Sequence, residues 1–309
     1  MSLARDPQGE RYTIRAGAYE AEITQVGATL ARLRYDSRPV ILETPEGEPM
    51  WFYRGALVAP WPNRIADGRY TCDGETYQVA LSEPERGNAL HGLVSFQAYE
   101  LLEQDDDRVV LATTLFPTTG YPFHLRLVVE YSLDAAAGLH TRLTAENVGS
   151  RTAPYGCCPH PYLVAGPEPL DTWTLAFDAH SQMQVDPERL LPLGTGPVDP
   201  GSPQDFHGEG RVIGDTKLDT AFSDLLRDFD GNSFVTVTAP GGTGVEVSFG
   251  YDCSWVQIYT GDRPEPELNR LGLAVEPMTC PPDAFNSGMD LIRLAPGQAH
   301  SASWRIRAW

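Results

Sequence analysis

The stretch His124-Leu-Arg-Leu-Val-Val-Glu-Tyr-Ser-Leu-Asp134 decides the fold of this chain. Leu125, Leu127, Val129, Tyr131 and Leu133 occupy every second position, with Arg126, Glu130 and Ser132 between them. Successive side chains of an extended strand point to opposite faces, so this spacing predicts a strand with one face in a core. The chain end repeats it. Ala302, Trp304, Ile306 and Ala308 alternate with Ser301, Ser303, Arg305 and Arg307. Further strand candidates lie at 11–16, 19–25, 28–35, 76–81, 98–103, 108–115, 139–147, 172–178, 233–239, 244–250 and 254–260. Asp73-Gly74, Ala137-Gly138, Asp230-Gly231 and Gly241-Gly242 supply turns between them.

Alternation this strict indicates half-buried antiparallel strands. No segment carries apolar residues at i, i+3, i+4 and i+7 over three turns, so short helical turns near 217–228 are the only helix expected. No fixed-period repeat suggests a propeller or solenoid. The expectation is an all-β protein, a large antiparallel β-sandwich forming one domain over residues 1–309. A division near residue 150 is the alternative.

Composition agrees with that class. Of 309 residues, 41% are hydrophobic, enough for a sizeable core, and 29 Gly and 26 Pro suit many short strands joined by turns. With 23 Lys and Arg against 42 Asp and Glu, the net charge is −19. Such a surface repels phosphate backbones and anionic lipid, so neither nucleic acid nor membrane is an expected partner. Five cysteines, an odd number with no C-x-x-C pair, make no disulfide framework. The first ten residues carry no apolar signal segment, and no run of about eighteen apolar residues could span a bilayer. A cytoplasmic location is the default expectation, with the oligomeric state open.

Four loops break the alternation and concentrate reactive side chains: 59–68, 88–93, 154–162 and 275–288. A fifth, 217–224, is less dense. His160 lies between Pro159 and Pro161, and Glu276 precedes Pro277. A residue before proline is pushed to an extended backbone, so both titratable groups sit on stiff segments suited to a preorganised acid/base pair. In a chain with 26 prolines, either context alone is ordinary. Asn63-Arg64 follows the rigid Pro60-Trp61-Pro62, and a guanidinium fork suits vicinal hydroxyls or a carboxylate, although loop-bracing arginines are commoner. His91 precedes Gly92, which would let the backbone approach a ligand, or His91 is a turn histidine. Asp219 could cap a short helix or bind a ligand. Trp61, Tyr162, Phe222 and Phe285 lie beside these polar groups, as a sugar with apolar faces and a polar rim would want, unless they are core anchors.

Other chemistries fit less well. Two His and two carboxylates could hold a metal, but they are spaced by 69, 59 and 57 residues with no compact ligand motif, so metal ranks below proton transfer. No G-x-S-x-G or phosphate-binding loop occurs. Glu276 and Asp219 could form a glycosidase carboxylate pair.

Taken in order, Asn63-Arg64, His91-Gly92, His160-x-Tyr162, Asp219 and Glu276 resemble the aldose 1-epimerase (galactose mutarotase) family, over roughly residues 12–308. No single motif is specific, whereas the ordered set is. The resemblance implies a β-supersandwich that interconverts α and β anomers of a small-molecule sugar without a cofactor. It implies Glu276 as the base for the anomeric hydroxyl and His160 as the acid for the ring oxygen. By the same resemblance Asn63, Arg64, His91, Tyr162 and Asp219 hold the sugar. A His beside a carboxylate can stay protonated, while burial raises the carboxylate towards a useful basicity.

Two departures fall in the expected pocket. Leu163-Val164-Ala165 stands where galactose-type members carry Phe-Asn-Leu, and Pro277-Met278-Thr279 replaces a stretch that often holds Gln two positions after the Glu. The Glu-Pro-Met-Thr pattern is similar to a bacterial subgroup that includes a member associated with sulfosugar breakdown. The competing readings are a non-catalytic carbohydrate-binding protein or sensor, and a glycosidase or lyase on a similar sandwich.

Overall fold

A computed structural model describes residues 6–309; the first five residues of the N-terminal stretch read above lie outside it. The strand Leu125–Asp134 buries Leu125, Leu127, Val129, Tyr131 and Leu133, the set picked out by alternation. It pairs antiparallel with Gly138–Asn147, placing Val129 opposite Leu143 and Leu133 opposite Leu139. Gly138–Asn147 in turn pairs with the C-terminal strand Ala299–Ala308, Leu143 facing Ala302 and Leu139 facing Ile306. These apolar rows run through the middle of a nine-stranded sheet, whose outer strands are Glu100–Gln104 and Arg211–Val212. Residues on both sides of position 150 therefore share one sheet.

A six-stranded sheet runs Tyr162–Leu163, Leu273–Met278, Trp255–Tyr259, Asp219–Leu225, Ala179–Val185, Pro192–Pro197. Its Leu163, Val256, Ile258 and Val275 join Leu139, Leu143 and Ile306 of the larger sheet in one core cluster. Phe222 meets Phe177 edge-on across the layers, ring centroids 4.8 Å apart. A four-stranded sheet, beginning with Arg11–Ala16, is tied to the large one by buried hydroxyls. Tyr131 donates to the Ala28 carbonyl at 2.8 Å, and Tyr19 accepts from the Ala308 amide at 2.8 Å. The outcome is the all-β, antiparallel sandwich that the alternation predicts.

One expectation fails. The helical turns near 217–228 are instead the strand Asp219–Leu225, paired with Trp255–Tyr259 on one side and Ala179–Val185 on the other. Asp219 therefore caps no helix. Ladder pairing on both sides overrides a local turn preference. The only α-helix among the described residues is Ala284–Ser287, and none is long and apolar enough to cross a membrane.

Candidate active site

Three strands of the six-stranded sheet deliver polar side chains to one place. Glu276 lies opposite Gln257, and Asp219 opposite Tyr259. Gln257 Nε2 donates to Asp219 Oδ1 at 2.6 Å. Pro277 is tolerated in its strand because the neighbouring side is only partly laddered. There the Val275 and Thr279 amides reach the Pro161 and Cys157 carbonyls, and the residue between them has no N–H to offer.

His160 arrives from the adjoining segment. Its amide donates to the Ala56 carbonyl at 2.9 Å, and its carbonyl accepts from the Gly55 amide at 2.9 Å. With the backbone pinned on both sides and Cys158 paired to Val58, the imidazole is directed at Glu276. His160 Nε2 lies 3.3 Å from Glu276 Oε1. The other carboxylate oxygen, Oε2, faces the buried Cys158 thiol at 3.9 Å.

Asn63-Arg64 and His91 come from a two-stranded ladder that sets Arg64 opposite Leu90. The His91 amide donates to the Asn63 carbonyl at 2.9 Å. Gly92 serves this packing and not a ligand. It sits at φ +70°, and a Cβ there would lie 2.1 Å from the Ala59 carbonyl oxygen.

All seven residues named from the sequence, Asn63, Arg64, His91, His160, Tyr162, Asp219 and Glu276, line one cavity of about 340 Å³. That volume lies in the range of small-molecule sites. Gln257, Glu83 and Tyr53 line it as well and were not found from the sequence. Gln257 had a signal, since it is the one amide inside the apolar strand Trp255-Val-Gln-Ile-Tyr259. Tyr53 had none. Its ring tilts over His91 at 4.6 Å between centroids. Of the four candidate sugar-stacking aromatics, only Tyr162 reaches the cavity. Trp61 and Phe285 pack edge-on against each other at 5.6 Å in the core, and Phe222 belongs to the interlayer contact.

Arg64 differs from its expected role as an open fork. Its Nε and Nη2 donate to the two oxygens of Glu83 at 2.8 and 2.9 Å, and Nη1 donates to Asn63 Oδ1 at 3.2 Å. Glu83 also accepts from Asn88 Nδ2 and Arg86 Nη1, both at 3.1 Å. Burial alone would raise the Glu83 pKa, but the Arg64 hydrogen bonds and charge, with Asn88 and Arg86, hold it below the ordinary carboxylate value. A depressed folded pKa contributes stability that is full above the unfolded value of about 4.3 and is lost as pH falls through the folded one. Breaking such a buried pair from one side costs about 3–5 kcal/mol. Glu83→Gln is therefore expected to lower unfolding free energy by roughly 3 kcal/mol at neutral pH. Urea melts should show the gap between variant and wild type closing in acid below the ordinary carboxylate pKa. A gap unchanged across that window removes the ion-pair explanation.

The buried pair at the cavity floor resists charge. His160 is pushed down to about 4, first by burial and then by the Arg263 charge. His91 is held well below the ordinary histidine value by burial, then by His160 and Arg64. Glu276 is raised well above the ordinary carboxylate value by burial and by Asp219, against the pull of Arg64. Burial thus raises the Glu276 carboxylate, as expected, and works against a protonated His160. Desolvation works against the charged form of both groups. One proton on a donor and acceptor 3.3 Å apart can still be placed at either end by what binds there. His91, His160 and Glu276 also present ligand atoms within 4.8 Å of one another, so these three could hold a metal ion.

Residues 10–307 match the family model described as aldose 1-epimerase. The chain is 37% identical over 300 residues to uncharacterized protein YihR of Escherichia coli K12, covering 96% of this chain and 93% of that protein. It is 31% identical over 204 residues to the galactose mutarotase of Rattus norvegicus, covering 60% of this chain and 56% of that one. Among solved structures, the GalM/aldose epimerase homologue from C. elegans superposes with a TM-score of 0.84 at 16% identity, over 97% of this chain and 98% of that one.

Proposed function

This chain belongs to the aldose 1-epimerase family, and on that premise we propose that it is a mutarotase acting on a free aldose, with Glu276 and His160 exchanging protons with the sugar. The observation that carries the reading is the 3.3 Å contact between His160 Nε2 and Glu276 Oε1 at the floor of a cavity ringed by polar side chains.

Glu276 accepts the proton of the anomeric hydroxyl while His160 gives one to the ring oxygen. The C1–O5 bond breaks, and C1 becomes an aldehyde. Rotation about C1–C2 presents the other face, and the reverse transfers close the ring. Each turnover returns both protons and requires no redox step. An anomeric hydroxyl donating to Glu276 and a ring oxygen accepting from His160 favour the ionised form of the pair, since hydrogen bonds to a charged form stabilise it. Sugar binding thereby moves the shared proton to where the reaction uses it. Asn63, Arg64, His91, Tyr162 and Asp219 hold the remaining hydroxyls and ring faces, and Gln257 adds a buried amide oxygen with no protein partner.

Polarimetry tests this reading directly. Freshly dissolved α-glucose, α-galactose and an anionic hexose derivative should include at least one sugar whose rotation equilibrates faster with protein than in buffer. If no sugar is accelerated while one still raises the melting temperature, the protein is a sugar binder and the catalytic reading fails.

A further inference from the structure

We infer that His91, His160 and Glu276 also form a reversible binding site for a borderline divalent cation, zinc or cobalt(II), and that the ion competes with the sugar for this pocket. All three side chains are buried, and each offers one ligand atom within 4.8 Å of the others. A tetrahedral ion with bonds of about 2.0–2.1 Å places neighbouring ligand atoms about 3.3 Å apart. His160 Nε2 and Glu276 Oε1 already stand at 3.3 Å. One edge of the tetrahedron is therefore preformed, and His91 has to close by no more than about 1.5 Å to complete the face. The two imidazole rings meet nearly at right angles, 86°, with centroids 5.0 Å apart.

The donor set selects the ion. Two imidazoles and one carboxylate with a fourth position left open is a known catalytic-zinc arrangement. Magnesium and calcium prefer six or more oxygens, which these side chains do not supply. The fourth position would be left to water or a sugar hydroxyl, since all three side chains line the cavity.

Two features make the site reversible. Resident zinc histidines normally give their second nitrogen to a carboxylate, carbonyl or water. Here Nδ1 of His91 and Nδ1 of His160 have no protein hydrogen-bond partner. Arg64 also draws on the charge of Glu276. An ion held there occupies both proposed proton-transfer groups, so it excludes turnover. The binding claim stands on geometry alone, whereas the inhibition claim rests on the mutarotase reading.

The test uses chelator-treated full-length protein titrated with cobalt(II), followed by visible d–d absorption. One equivalent should develop the intense band of four-coordinate cobalt, and zinc should bleach it. His91→Ala and His160→Ala should each weaken binding at least tenfold, with circular dichroism checking the fold. Glu276→Gln, which keeps the volume, is the second route if either alanine variant misfolds, and it should weaken binding likewise. No one-equivalent band, or a band unchanged in the folded variants, overturns the site. In the kinetic arm, zinc should slow mutarotation, and added sugar should raise the zinc concentration needed. Zinc acceleration of the chelated protein would overturn the competition. A cobalt band without mutarotation of any sugar would leave the metal site standing and remove the mutarotase reading.

Discussion

Glu276→Gln should abolish nearly all catalysis while leaving the protein folded. Glutamine keeps the shape and one carbonyl oxygen but cannot take the anomeric proton. Positioned general acid/base groups are typically worth about 10²–10⁴ in rate, so kcat should fall by about that factor. The environment argues for an effect on kcat more than on stability. Glu276 is buried with its pKa raised by burial and by Asp219, so its charged form is disfavoured in the wild type. A neutral amide in that place introduces no new buried charge. It can still accept from the Cys158 thiol, which faces Oε2 at 3.9 Å. Thermal melts should therefore shift by only a few degrees, and the sugar giving the largest thermal shift with wild type should still bind. Polarimetry on that sugar gives the decision. A variant retaining more than a tenth of wild-type kcat would remove Glu276 from the chemistry.

Much of the fold is legible because half-buried antiparallel strands write period two into the sequence. Leu125–Asp134 and Ala299–Ala308 are the clearest cases, and both lie in the nine-stranded sheet. The six-stranded sheet is less legible for physical reasons. Leu273–Met278 is buried at all six positions, so it has no polar face to alternate with, and it contains a proline. Pro192–Pro197, Pro-Leu-Gly-Thr-Gly-Pro, is an edge strand of that sheet, mostly solvent-exposed, and its composition reads as a turn. Asp219–Leu225 becomes a strand through its two neighbours, which no local window contains.

The site was legible for a different reason. The order of five polar motifs along the chain, and not their spacing, pointed to residues that the fold then brings to one cavity. What stayed hidden are relations between side chains. That Arg64 spends its fork on Glu83, and that Asp219 is held by Gln257, depends on strand register and loop path. Burial, too, is a property of the assembled sheets, so the downward push on the His160 pKa could not be read from a Pro-His-Pro motif.

His160→Asn is the complementary loss. Asparagine can donate a hydrogen bond to a ring oxygen but cannot release a proton to it, so ring opening loses its acid. The expected fall in kcat is again about 10²–10⁴. The side chain is shorter, and Glu276 Oε1 loses its partner at 3.3 Å. An unpartnered buried carboxyl costs about 1–3 kcal/mol, so this variant should melt earlier than wild type, unlike Glu276→Gln. The two substitutions act on one proton-transfer unit. Their effects on kcat should accordingly be far from additive, with the double variant little slower than the worse single one. If the double variant loses the product of the two single factors, His160 and Glu276 act independently, and the shared-proton reading of the 3.3 Å contact fails. Additivity is thus the sharper measurement. Either single loss could follow from a disturbed pocket, but only coupled groups give a double variant that costs almost nothing more.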